Sequence, residues 1–285
     1  MAWKKEFTPE EKAKWAAEQE EKLKNAEQML SDGVKEIYTS EKYADYLRFY
    51  SGFHQYSFCN SLLIMLQKPD ASHCASYADW KKKGRSVRKG EKGIVIRVPT
   101  PKKFKVEDPK TGEEKEVSKM FYKLGTTFDI SQTEGKEIPE ICSQLKASVS
   151  NYTDILDHIR KASPVKIDFE DMEHSHANVY YSVAENRIVV RNNMSESQSI
   201  KTAVHETAHA LLHGKGKAEE KADRDLKELQ AESVAYIVCN FLGIDTSDYS
   251  FGYVAGWAAD KTAKKLEKNL TVISDTAKVI LKSFE

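Results

Sequence analysis

The sequence predicts an α+β protein in two domains, and three of its features do so. One is a β pattern in the first half, GIVIRVP followed by PKKFKVEDPKTGEEKEVSKMFYKL; another is NVYYSVAENRIVVR in the second half, after which helical periodicity holds from Ser195 onward. The third is the stretch 134–147, where Gly135 and Pro139 interrupt any period. Domains are therefore expected over 1–135 and 151–285, joined by a linker at 136–150.

In chain order, Thr8-Pro9-Glu10-Glu11 opens a helix: a hydroxyl cap, proline at the first helical position, and a glutamate placed to complete a capping box. The helix runs to about Lys35 with a solvated composition of Ala, Glu, Lys and Gln. One further helix is expected through YADYLRFYSGFHQYSFCNSLLIMLQK, closed by Pro69. Asp79-Trp80 begins a basic segment that ends in the strand GIVIRVP, stopped at Pro99. Two charged strands follow around the turn Asp108-Pro109-Lys110-Thr111-Gly112, forming a hairpin that projects into solvent. Beyond the linker come a helix over 151–162, a strand at VKIDFE and a hairpin turning near Glu185-Asn186. Four helices then close the chain, the first two stopped by Gly214 and Gly243 as left-handed caps.

The 285 residues suffice to bury a sizeable core, and a net charge of zero removes any global field that would favour nucleic acid or membrane. The four cysteines (Cys59, Cys74, Cys142, Cys239) are scattered, which points to reduced thiols rather than a disulfide framework. The first residues lack an apolar core for a signal peptide, and no apolar run spans a bilayer. A cytoplasmic protein is expected, with chance sequons at Asn151, Asn193 and Asn269.

The chemistry concentrates in KTAVHETAHA. HExxH on a helix sets two imidazoles one turn apart on one face, so that His205 and His209 reach one ion while Glu206 stands beside it. Ile200, Val204, Ala208, Leu211 and Leu212 give that helix an apolar stripe. Glu228 and Glu232 lie on a second apolar helix, ELQAESVAYIVC, where two carboxylates one turn apart are costly unless a cation neutralises them. Glu228 is the expected third ligand, giving a catalytic His₂Glu zinc site. Glu232 is expected behind it as the acceptor that orients a ligand histidine. The plainer alternative puts both on a solvated face, paired with Lys227 or Lys221. His213, two turns past His205, reads as a packing or hydrogen-bonding residue, and His174 and His176 as loop residues. Glu206 would accept a proton from an attacking water and pass it to a leaving amine, with Tyr180, Tyr181 or Tyr236 as candidate oxyanion donors.

A different signal lies upstream. Residues 81–105 carry eleven Lys or Arg against one Glu, and aromatics from Tyr43 to Phe58 crowd the preceding region. Cations for phosphates and rings for bases are the requirements of single-stranded nucleic acid binding. The same rings at helical spacing also suit a core, and both readings stay open.

These residues resemble a family. YSFCNSLLIMLQKPDASHCASYADWKKKGRSVRKGEKGIVI, FDISQTEG, HETAHALLHG, ELQAESVAYIVCNFLGI and YVAGWAAD are similar to the motifs of ArdC-type antirestriction and LtrC-like proteins of mobile elements, over nearly the whole chain. The resemblance implies an N-terminal helical and β-hairpin domain that binds single-stranded DNA, and a C-terminal zincin-like metallopeptidase domain related to ImmA/IrrE peptidases. It matches Glu228 to the family's third ligand. It also carries DNA binding onto Arg85, Lys89 and Lys92, with Tyr56, Asn60 and Trp80 beside them; Trp80, Gly84 and Gly90 stand open between contact and structural roles. Ala208 departs from the glycine that members often have there. The implied protein is a Zn2+ peptidase fused to a DNA-binding domain, with an unidentified protein or peptide substrate and no membrane partner. Two alternatives are a DNA shield whose metal is structural and a peptidase that cleaves a repressor.

Overall fold

A computed structural model describes residues 8–107, 114–137, 152–171, 179–182 and 185–285. The architecture is α+β, and the chain divides into two compact units. Met1–Asp32 with Leu63–Gly135 form the first, and Gly33–Leu62 with Lys136–Glu285 the second. The second unit resumes at Lys136. Residues 33–62 group with the second unit through packing described below.

The first unit begins with most of helix α1 (Pro9–Ile37), opened by the expected capping box: Glu11 N–H donates to Thr8 Oγ1 at 3.2 Å and Thr8 N–H to Glu11 Oε2 at 2.9 Å. Instead of one helix through 43–68 there are two, α2 (Ser40–Gly52) and α3 (Phe58–Gln67). The break follows Gly52, where Phe53 leaves helical geometry and its N–H turns back to Tyr50 O. Strand β1 (Cys74–Ala75), helix α4 (Tyr77–Lys82) and strand β2 (Arg85–Val87) lead to a ribbon of β3 (Ile94–Glu107) and β4 (Glu114–Asp129). Strand β5 (Thr133–Gly135) then returns to pair with β2. Strand β3 does not stop at Pro99. It passes through Pro99 and Pro101, which oppose Tyr122 and Met120 in an unbroken antiparallel register. Two prolines two residues apart both fall on the side where the N–H points away from the partner strand, so no ladder bond is lost. The turn expected at 108–112 lies outside the described residues.

Asp129 organises the base of this unit. Its buried carboxylate accepts from the N–H groups of Ser72 (2.7 Å), His73 (2.9 Å) and Ser131 (2.9 Å), while Gln132 Oε1 accepts from Asp129 N–H (3.0 Å). Burial alone would raise its pKa; the donors from Ser131, His73 and Ser72 outweigh it and hold the carboxyl below its ordinary range. Beside it Gly135 sits at φ 128°, with Gly84 O 2.6 Å from where a Cβ would stand, so both the conformation and the close approach require glycine.

The second unit holds a three-stranded sheet in the order β6 (Lys166–Glu170), β8 (Arg187–Arg191), β7 (Val179–Ser182), with β6 parallel and β7 antiparallel to the central strand. The hairpin turns where expected, with Asn186 left-handed at φ 51°. Around the sheet lie helices α5 (Tyr152–Ala162), α6 (Glu196–Leu212), α7 (Arg224–Leu242), α8 (Val254–Ala258) and α9 (Ala263–Leu281). Gly243 ends α7 left-handed at φ 73°; α6 instead ends on His213 in helical geometry, and the left-handed residue beyond it is Gly216 rather than Gly214. Helix α2 belongs here because its ring face is spent on this core. Tyr43 OH bonds Ser233 Oγ at 2.8 Å, Tyr50 OH donates to Ser274 O at 3.2 Å, and Arg48 Nη2 donates to Tyr236 OH at 3.2 Å. Of the aromatics between Tyr43 and Phe58, Tyr43, Tyr46, Tyr50, Phe53 and Phe58 are buried, which settles their two readings in favour of core. Among the described residues no helix is long and apolar enough to cross a membrane.

Asp129→Ala should destabilise the chain by roughly 2–4 kcal/mol, because three N–H donors lose a charged acceptor in a buried setting. Urea denaturation midpoints measure it; a loss under about 1 kcal/mol would mean that water replaces the carboxylate.

Candidate metal centre

Helix α6 is nucleated by Ser195, whose hydroxyl accepts from Gln198 N–H at 3.2 Å, and it is held down by Ile200, Ala203, Val204 and Ala208, all buried. Helix α7 starts at Asp223, which accepts from Leu226 N–H at 2.8 Å, and buries Leu229, Ala231, Val234 and Ala235. Both helices are thus fixed at their starts and along their apolar sides. His205 and His209 project from α6 on one face, and Glu228 projects from the second turn of α7 toward them.

Three ligand atoms converge. His205 Nε2 and His209 Nε2 are 3.0 Å apart, and each lies 3.6 Å from Glu228 Oε2. A tetrahedral ion with bonds of about 2.0–2.1 Å spaces its ligand atoms about 3.3 Å apart, so the three sit at the spacing one ion requires. Two of the groups, His209 and Glu228, are shifted toward the charge state that an ion requires. Burial, with His205 beside it, pushes the His209 imidazole down to about 4, and the neighbouring His205 ring holds the Glu228 carboxyl down to about 2. Two imidazoles and a carboxylate are a donor set for a divalent cation.

His209 has a fixed proton. Its Nδ1 meets His213 Nδ1 at 2.9 Å, His213 Nε2 meets Gln230 Oε1 at 2.8 Å, and Gln230 Nε2 donates to Asn269 Oδ1 at 2.9 Å. Asn269 Nδ2 donates to Tyr38 OH at 3.2 Å, and Tyr38 OH donates to the Leu266 carbonyl at 3.1 Å. The Leu266 carbonyl can only accept, so every bond has one direction. Gln230 Oε1 accepts, which makes His213 Nε2 a donor. Burial keeps His213 neutral, its pKa lowered, so its Nδ1 accepts from His209 Nδ1–H. His209 Nε2 is left with its lone pair facing the site.

Glu206 lines a cleft of about 440 Å³ together with His205, Glu232, Val179, Thr202 and Lys201. Burial raises its pKa; His205 opposes that and Glu228 adds to it, giving a carboxyl suited to taking up and releasing a proton. Glu232 does not orient a histidine: it accepts a hydrogen bond from Tyr253 OH and lines the cleft, and the task expected of it falls to His213 and Gln230. The sequence reads His213 as a packing or hydrogen-bonding residue and points to no site role for Gln230, Asn269 or Tyr38. The i,i+4 step from His209 to His213 was the signal available. Tyr236 is buried, with its hydroxyl facing Arg48, outside the cleft lining. His174 and His176 lie outside the described residues, as do the side chains of Tyr180 and Tyr181.

The basic candidates fare unevenly. Trp80 is 0% exposed, its indole N–H donating to Phe128 O at 2.8 Å, so it is a core residue and offers no face to a base. Arg85 is spent within the first unit, donating to Thr133 Oγ1 at 2.7 Å and Thr133 O at 3.0 Å. Lys89 and Lys92 are exposed; Tyr56 and Asn60 are half-buried and belong to the second unit.

Residues 18–128 match the model of the N-terminal domain of anti-restriction factor ArdC, and residues 160–239 match the IrrE N-terminal-like domain, a peptidase-family model. In chain order, therefore, a match to an ArdC N-terminal domain precedes a match to an IrrE-like domain. The second match includes His205, Glu206, His209, Glu228 and Glu232; the first runs through 33–62, the stretch that packs into the second unit. A Bacillus anthracis protein is 28% identical over 321 residues, spanning 99% of this chain and 54% of that one, so the chain covers about half the length of this curated relative. Two crystal structures of the antirestriction ArdC protein of a plasmid, metal-free and Mn(II)-bound, are 21% identical with a TM-score of 0.47. They cover 79% of this chain and 84% and 87% of their own.

His205→Ala and Glu228→Ala should each abolish retention of a divalent ion by the purified chain, read by elemental analysis. Gln230→Leu should keep the three ligands but weaken the ion roughly 10–100-fold in a chelator competition, because His209 loses its fixed tautomer. An unchanged affinity would refute the proton-ordering role of the chain of bonds.

Proposed function

We propose that this protein is a metal-dependent peptidase joined to a single-stranded-DNA-binding unit, serving a mobile element as an antirestriction accessory. The observation that carries the peptidase reading is the convergence of His205, His209 and Glu228 with Glu206 on the wall of the adjoining cleft. When bound, a zinc ion would polarise a substrate carbonyl and acidify water at the site.

The remaining work falls to residues of this chain. Glu206 takes the proton of the attacking water and delivers it to the departing amine; its raised pKa brings the two transfers closer to balance. Strand β7 forms the edge of its sheet, and Val179 on it lines the cleft, so an extended peptide can pair with that edge and cross the site. A purely structural ion would have no use for a carboxylate at Glu206, which favours turnover over a metal that only supports folding. The DNA reading rests on the basic segment and on the match to the ArdC N-terminal domain, with Lys89 and Lys92 among its exposed cations.

Glu206→Gln should retain the ion and the fold while lowering cleavage of a mixed peptide library by about 10²–10⁴, scored by mass spectrometry. Cleavage at the wild-type rate would remove Glu206 from the reaction. For the DNA half, Lys89→Gln with Lys92→Gln should lower the slope of log affinity against log salt for a single-stranded oligonucleotide by about 1.4. A slope equal to wild type would take both lysines out of the interface.

A further inference from the structure

The β3–β4 ribbon has two unlike faces. The register sets Lys103, Lys105, Glu114 and Glu116 on one of them, where Lys103 pairs with Glu116 at 3.1 Å and Lys105 with Glu114 at 2.8 Å. The opposite face carries Phe104 and Phe121, 39% and 40% exposed, with ring centroids 5.7 Å apart. Lys102, Lys119 and Lys123 share that face, and among the described residues none of them has a carboxylate within ion-pair range. Lys102 and Lys119 stand directly opposite each other, an arrangement that costs stability, and Lys102 Nζ lies 5.0 Å from the Phe121 ring centroid. Phe104 and Phe121 thus stand among cations that have no carboxylate partner among the described residues, whereas on the other face Lys103 and Lys105 are paired with carboxylates and the Tyr122 ring has Arg97 Cζ over it, 4.1 Å from its centroid.

We propose that this face, built on Phe104, Phe121, Lys102 and Lys119, is the base-stacking platform for single-stranded nucleic acid. The proposal rests on the DNA-binding reading above and gives it an aromatic contact that Trp80 cannot supply. The rings offer flat apolar surface to unpaired bases, and the flanking ammonium groups follow the phosphates. Side chains on one face of a strand recur every ~6.8 Å, so rings and cations alternate along the ribbon as bases and phosphates do along a strand. A peptide added as a further strand on β3 is a poorer occupant. Pro99 and Pro101 remove two successive outward N–H groups from that edge, and a row of lysines repels any basic partner.

The test uses the full chain and a fluorescein-labelled dT oligonucleotide of about 15 nucleotides, with anisotropy read over a salt series. Phe104→Ala with Phe121→Ala should weaken binding about tenfold or more, and Phe104→Leu with Phe121→Leu should do the same while keeping the ribbon apolar. Tyrosine at both positions should restore binding to near wild type. Lys102→Gln with Lys119→Gln should reduce the log–log salt slope by about 1.4, whereas Lys103→Gln with Lys105→Gln should change affinity less than about twofold. If the wild type binds and the Phe104/Phe121 variants bind equally well, the platform is refuted, DNA binding stands elsewhere, and the face is left for a protein partner. If the wild type itself does not bind the oligonucleotide, the DNA reading falls and the platform with it.

Discussion

A backbone carbonyl that can only accept sets the state of the site. From Leu266 through Tyr38, Asn269, Gln230 and His213 to His209, each donor is used once and each acceptor once, so the direction of every bond follows from the first. All of these groups are at least half-buried, where water competes poorly for their hydrogen bonds. A single reversal, such as a flipped Gln230 amide, would set two donors or two acceptors against each other. The outcome is a histidine whose Nε2, facing the candidate metal centre, carries no proton. His205 and His209 on α6 and Glu228 on α7 depend on this frame, because α9, which carries Asn269 and Leu266, packs on both helices.

The two units use polar groups differently. In the first, one buried carboxylate, Asp129, gathers three N–H donors and closes the base of a two-stranded ribbon that has little core of its own. In the second, polar groups form a line through a helical core already supported by Ile188, Val189, Val190, Leu229 and Leu270. One arrangement substitutes for hydrophobic packing, and the other orders a site inside it.

Much of this was legible beforehand, for physical reasons that differ by element. Helix starts at Thr8 and Ser195 and the left-handed stop at Gly243 depend on neighbours within four residues, so local sequence suffices. HETAH is legible because helical spacing alone brings His205 to His209. What needed the third dimension was everything set by residues far apart in the chain. Trp80 carries the same composition signal whether it faces a base or Phe128, and Glu232 the same spacing whether it meets a histidine or Tyr253. Pro99 read as a strand end because a proline's tolerance in a strand depends on which side its missing N–H faces. The rings of α2 read equally as nucleic-acid contacts, and only their bonds to Ser233 and Ser274 place them in the core.

The assignment of 33–62 to the second unit has a consequence for inheritance. No single cut in the chain separates the units, since the second takes a helical segment from within the first half and resumes only after 135. A recombination event near the middle of the gene would deliver the IrrE-like part without Tyr43, Tyr50 and Tyr38, leaving a hole in its core and a broken proton order at His209. Exchange of either part alone would need three coordinated breakpoints, at 32/33, 62/63 and 135/136. The topology therefore disfavours inheritance of either unit without the other.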